Sequence, residues 1–183
     1  MTCRPTVGAV DLQTPEGTEN IVLIEDRATD AAGRVWVRAL LASRAAATGW
    51  IPREDLGGYT RVATHLVVDL RARTLTLRRG DEVLLSAPVG VGTPDAPTPA
   101  GEFYVRNKLT RYRSPAYGPV AFGTSARSPT LIDWPAGGFV GIHGTDRPDL
   151  LPGRVSHGCI RMRNADMRRL ARRMPIGTPV TID

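Results

Sequence analysis

Cysteine, histidine, lysine and aromatic residues are all scarce in this chain of 183 residues, and each scarcity excludes something. The two cysteines, Cys3 and Cys159, form no C-x-x-C pair, so neither a disulfide framework nor a cysteine-rich zinc module is expected. Cys3 sits near the terminus with no apolar segment before it, which favours a spare thiol over a lipid anchor. No apolar run approaches the roughly 18 residues of a membrane span, so no integral membrane segment is expected. The first residues show no basic stretch leading into an apolar one, and no export signal is visible.

Lysine is almost absent: Lys108 is the one lysine among 24 basic residues. The net charge of +6 is therefore a charge of arginines, spread along the chain except for Arg168, Arg169, Arg172 and Arg173. Aromatics make up 5% of the chain, with no RNA-binding aromatic signature, helix-turn-helix pattern or zinc-finger spacing, so nucleic acid is not an expected partner. A basic surface also suits an anionic polymer.

Turn residues are plentiful. With 19 glycines and 15 prolines separating short β-prone runs, the chain reads as mainly β. Asn20–Ile24, Val35–Leu41 and Gly49–Pro52 are expected strands of an N-terminal part, residues 1–58, ending at Gly57-Gly58. The pieces GRVWVRALL and TGWIPREDLGG resemble the last strands of bacterial SH3-like modules; the alternative is a β-rich extension packed on the main domain. From residue 59 the pattern sharpens. His65–Leu70 and Arg73–Leu77 alternate apolar and polar positions as half-buried strands do, Arg79-Gly80-Asp81 makes a turn, and residues 83–92 continue the meander. The proline-rich stretch 93–101 reads as a rigid loop, because proline offers no ladder donor. A strand at Glu102–Val105 follows, and residues 106–138 read as irregular, with Tyr117 and Trp134 as candidates to line a substrate groove. One helix is expected, capped by Asn164, with Asp166 in its first turn and Met167, Leu170, Ala171 and Met174 on one stripe. Pro179–Ile182 is the last strand.

Two of the three histidines and the only interior cysteine fall between His143 and Cys159, inside Gly141-Ile-His-Gly-Thr145 and Val155-Ser-His-Gly-Cys-Ile-Arg-Met162. A cysteine nucleophile needs an imidazole to take its proton. His157 is two residues away, a spacing that permits proximity without ensuring a hydrogen bond. His143 comes from a separate strand, Phe139–His143, and can approach Cys159 across a sheet. Gly144 leaves room for a carbonyl to orient that imidazole, and Gly158 lets the backbone turn amides toward an oxyanion. A metal site of His143, His157 and Cys159 would lack an obvious fourth ligand, so no metal is expected. His65, alone in a strand, reads as a structural or surface histidine.

His, then a loop, then Ser-His-Gly-Cys resembles the signature of the L,D-transpeptidase catalytic domain family. LVVDLRARTLTL, VGVGTPDAPTPAGEFYV and GGFVGIHGT resemble its opening hairpin, its proline-rich turn and the strand ending at the first histidine. Arg161 stands where asparagine often occurs in that motif. The resemblance implies a β-sandwich-like catalytic domain over residues 59–183, with Cys159 as nucleophile and His143 as base. It implies that Gly144 orients His143, that His157, Gly158 and the Cys159 amide shape the oxyanion site, and that Ser156 and Arg161 support substrate or loop. The implied partners are peptidoglycan stem peptides and carbapenem inhibitors, without a cofactor, in an extracytoplasmic setting. Water as acceptor would make the chain an L,D-carboxypeptidase or endopeptidase, and a non-catalytic wall-binding module is a third reading.

Overall fold

The computed structural model describes residues 6, 8–42, 47–110, 114–128, 130 and 138–183; Cys3 and Trp134 lie outside them. Strands β1 (Leu23–Thr29), β2 (Val35–Leu40) and β3 (Thr48–Pro52) form an antiparallel three-stranded sheet. Val37 and Ala39 of β2 are fully buried while Arg38 between them is exposed, the alternation expected of a sheet with one covered face. β1 begins at Leu23 and continues through the charged run Glu25–Thr29 as an exposed edge strand, displaced from the strand expected over Asn20–Ile24. Charge on an edge strand is tolerated because its outer face and outer edge meet water.

The second sheet has ten strands: β4 (Thr64–Asp69), β5 (Thr74–Arg79), β6 (Glu82–Pro88), β7 (Gly90–Gly92), β8 (Gly101–Leu109), β9 (Ala121–Arg127), β10 (Phe139–His143), β11 (Gly153–Ser156), β12 (Ile160–Arg161) and β13 (Pro179–Ile182). Their order is β11-β7-β12-β10-β9-β8-β13-β4-β5-β6. The expected hairpin β4–β5 is present, with Leu66, Val68, Leu75 and Leu77 fully buried. Asp69 closes its turn, its carboxylate accepting from the amides of Arg71 and Ala72. The sheet curls around one core that includes Val105, Phe122, Val140, Ile142, Ile160, Met162 and Val180.

Two further expectations are corrected. Residues 106–138 are not irregular throughout: β8 runs on to Leu109, and β9 occupies Ala121–Arg127. Ala121–Ala126 is buried on both faces and, Phe122 apart, built from small residues, so it shows no polar–apolar alternation from which to recognise a strand. The helix α1 (Asn164–Ala171) is present, but Asn164 does not cap it; the N-cap position is Arg163, without a side-chain hydrogen bond. Asn164 instead accepts the Thr145 amide on its Oδ1 at 3.0 Å. α1 ends at Ala171, and Met174 stays buried just beyond it, its amide donating to the Leu170 carbonyl. Among the described residues no helix is long and apolar enough to cross a membrane.

Candidate active site

The site is built by a parallel pair of strands. β10 and β12 align Ile142 with Ile160 and His143 with Arg161. Side chains alternate along each strand, so Ile142 and Ile160 enter the core, both fully buried, while Gly141, His143, Cys159 and Arg161 share the opposite face. Apolar residues between the chemical ones thus fix which way the chemical ones point.

Cys159 is a partly buried free thiol whose Sγ accepts the Gly141 amide at 3.4 Å. Gly141 matters for what it lacks. A Cβ at this position would stand 3.9 Å from both Cys159 Sγ and His143 Cδ2, so the thiol and the imidazole border one small space kept open by the glycine. His143 is buried, and its Nδ1 lies 2.6 Å from the Gly144 carbonyl. A carbonyl only accepts, so Nδ1 carries the proton and the neutral ring leaves Nε2 as acceptor. Burial pulls the His143 pKa down to about 4, against the opposing pull of the Gly144 carbonyl and with help from the Arg161 charge. Burial also pushes the Cys159 thiol up, partly offset by the Gly141 amide and by Arg161. At neutral pH the resting pair is accordingly a thiol beside an uncharged imidazole.

Tyr117 covers the histidine, its ring centroid 4.6 Å from that of His143 and tilted by 49°. Burial raises its phenol, as does the neighbouring Cys159, while Arg161 lowers it. Asn164 Oδ1 fills the space that a Cβ on Gly144 or Gly118 would need, at 2.1 and 2.3 Å. Gly144 is therefore held in place by its neighbours, and with it the carbonyl that orients His143.

The loop before Cys159 is bonded to itself. Ser156 is buried; its hydroxyl donates to the Cys159 carbonyl at 2.6 Å and accepts the Gly158 amide at 3.1 Å. Gly158 has φ +116°, where a Cβ would also meet Ser128 Oγ at 3.3 Å. Thr98 ties the proline-rich loop to this turn, donating to the Gly158 carbonyl at 2.8 Å and accepting the Gly92 amide at 2.9 Å. His157 is exposed on the same turn.

The structure thus brings together Cys159, His143, Gly144, Arg161, Tyr117 and Gly158. It separates His157 to the surface and commits the Ser156 hydroxyl to the loop. Sequence reasoning missed Gly141, Asn164 and Thr98. For Gly141 a signal existed, since a residue two before a strand histidine shares its face; for Thr98 and Asn164 the partners are distant carbonyls and amides that leave no mark in the sequence. Among the described residues no group of three or more His, Cys, Asp or Glu side chains could hold a metal ion.

Residues 63–182 match the family of the YkuD L,D-transpeptidase catalytic domain. The chain is 41% identical over 119 residues to a putative L,D-transpeptidase, YkuD, of Bacillus subtilis, covering 65% of either chain. It is 32% identical over 126 residues to the putative L,D-transpeptidase YqjB of the same organism, covering 64% of this chain and 70% of that one. Among solved structures it is similar to a mutant of the Enterococcus faecium L,D-transpeptidase, with 30% identity and a TM-score of 0.53 over 67% of this chain and 50% of that one. It is also similar to the Ldtfm–avibactam carbamoyl enzyme, with 31% identity and a TM-score of 0.52 over 67% and 49%. The match thus spans slightly under two thirds of the first curated relative and about half of these two solved chains.

Proposed function

Because this chain belongs to the L,D-transpeptidase catalytic domain family, we propose that it is a peptidoglycan L,D-transpeptidase with Cys159 as nucleophile and His143 as general base. The observation that carries the reading is the shared open space over Gly141, bordered by the thiol and by an imidazole whose Nδ1 is occupied at the Gly144 carbonyl. In the first half-reaction the thiol proton passes to His143 Nε2 as sulfur attacks the carbonyl of the third residue of a donor stem peptide. The oxyanion is met by the Cys159 amide, aimed by the turn at Gly158; the Gly158 amide itself is already donated to Ser156. Collapse breaks the peptide bond, the departing D-alanine nitrogen takes the proton from His143, and a thioester remains. In the second half-reaction an acceptor amine attacks the thioester, gives its proton to His143, and restores the thiol.

Arg161 and Tyr117 border the thiol and serve substrate binding in this reading; Trp134, the other candidate, lies outside the described residues. Ser156 acts by holding the turn and His157 by shaping its outer side. In this reading residues 59–183 carry the chemistry, and residues 1–58 are a smaller β-rich part, either SH3-like or an extension packed on the main domain. Work on the wall places the protein outside the cytoplasm, and carbapenems, which imitate the acyl donor, are its expected inhibitors.

The test is intact-protein mass after incubation with a carbapenem. A one-to-one adduct on the wild type, absent in Cys159→Ser and slowed in His143→Ala, is the expected result. A folded, reduced wild type that takes no adduct would overturn the reading. Incubation with stem peptides then identifies the acceptor, since a cross-linked dimer requires an amine and a trimmed monomer requires water.

A further inference from the structure

The strip of sheet beneath the thiol is held from outside the catalytic domain. Gly141 of β10 pairs with Gly123 of β9, and Gly123 pairs with Asn107 of β8, so a line drawn across the strands from Cys159 ends at Asn107. β8 is irregular there: its register shifts between Val105 and Asn107, and the Asn107 Oδ1 accepts the Gly123 amide at 3.0 Å. Arg106, at the shift, is 2% exposed. Its Nε donates to the Thr124 carbonyl at 3.1 Å, and its guanidinium stacks 3.5 Å from the centroid of Phe139. Arg127 stacks on the same ring at 3.9 Å. Two guanidinium groups against one ring, one of them buried, require an anion.

That anion comes from a turn at Thr14–Thr18, some 45 residues before the family match begins. Glu16 receives the Arg106 Nη2 on both carboxylate oxygens, at 2.9 and 3.2 Å, and the Asn107 Nδ2 on Oε2 at 3.1 Å. The hydroxyls of Thr14 and Thr18 bond to each other at 2.8 Å and accept from Asn107 Nδ2 at 3.4 and 3.3 Å. Among the described residues Arg106 forms its one ion pair with Glu16. Burial favours the uncharged form of Arg106, and Glu16 opposes that.

We propose that Glu16 is a positioning residue for the nucleophile: through Arg106 and Asn107 it fixes the Gly123–Gly141 pairing that aims the Gly141 amide at Cys159 Sγ. The functional catalytic unit therefore begins at the Thr14–Thr18 turn, although its chemistry lies in residues 59–183. The inference rests on Cys159 being the nucleophile proposed above.

Two readouts on the full chain test it: the rate constant of Cys159 acylation by a carbapenem at saturating inhibitor, and the NMR amide resonance of Gly141. In Glu16→Gln, which keeps the shape and removes the charge, acylation slows about tenfold while adduct stoichiometry stays at one. The Gly141 resonance moves, and Glu16→Asp recovers most of the rate. A purely structural role would lower the stoichiometry and leave the rate constant unchanged, and that result overturns the proposal. So does a folded Glu16→Gln with a rate within twofold of wild type and an unmoved Gly141 signal. If Glu16→Gln does not fold, the Glu16→Gln/Arg106→Met double variant, which leaves no buried charge unpaired, carries the same comparison. Should the wild type take no adduct, the transpeptidase reading fails by itself, and the Gly141 resonance still decides whether Glu16 positions that amide.

Discussion

On the proposed mechanism, the protonation states of the Cys159–His143 pair dictate an unusual pH profile for acylation. Burial holds His143 neutral down to about pH 4 and raises the thiol above its ordinary value of 9.0. The reactive combination, neutral base and intact thiol, therefore predominates over the whole range between those limits. Wild-type acylation by a carbapenem, followed by intact mass, should be flat within about twofold from pH 5.5 to 8 and should fall below pH 5 with a midpoint near 4. In His143→Ala no base takes the proton, and only preformed thiolate reacts. A thiol with a pKa above 9 is about 1% ionised or less at pH 7. The variant should then be slower at pH 7 by about a hundredfold or more, within the 10²–10⁴ range that a positioned base contributes. Its rate should climb about tenfold per pH unit up to pH 9. A wild-type inflection near 6.5, the ordinary histidine value, would refute the reasoning, as would a flat profile in His143→Ala.

The same histidine affects folding. Its pKa is lower in the fold, about 4, than in the unfolded chain, about 6.5, so the unfolded state binds more protons between those values and stability falls as pH drops through that window. The loss across it is about 3 kcal/mol, and denaturation midpoints at pH 7 and 4.5 should differ less in His143→Ala by that contribution. Gly158→Ala combines φ +116° with a 3.3 Å approach to Ser128 Oγ, and should cost about 1–3 kcal/mol by thermal melt while slowing acylation. Asn164→Ala leaves the Thr145 amide without its acceptor and should lower stability by about 1–3 kcal/mol. An unchanged melting temperature in Asn164→Ala would remove it from the support of Gly144.

Much of the site was readable because its chemistry is local. Ser-His-Gly-Cys and the upstream His-Gly carry the proposed nucleophile, base and orienting carbonyl in two short segments, and the register of β10 on β12 puts His143 and Cys159 on one face. The β4–β5 hairpin was readable for a similar reason, since one face of it is wet and the other dry. What escaped depends on long-range partners. β9 is buried on both sides and so lacks a period. Asn164 looked like a cap because asparagine before an apolar stripe often is one, yet its oxygen is taken by Thr145, 19 residues earlier. Nothing near Glu16 in the sequence points to a buried arginine 90 residues away.

The parallel pairing of β10 with β12 has a consequence for the timing of reactivity. The proposed base, His143, ends β10 and the proposed nucleophile, Cys159, immediately precedes β12, and these strands are aligned by only two residue pairs, Ile142 with Ile160 and His143 with Arg161. A slip of one residue would turn the histidine and the cysteine to opposite faces. Until that short pairing closes, Cys159 lacks the base proposed for it. On the proposed mechanism the thiol gains its base only once that pairing has formed, so a partly folded chain would resist acylation through its own unfinished register.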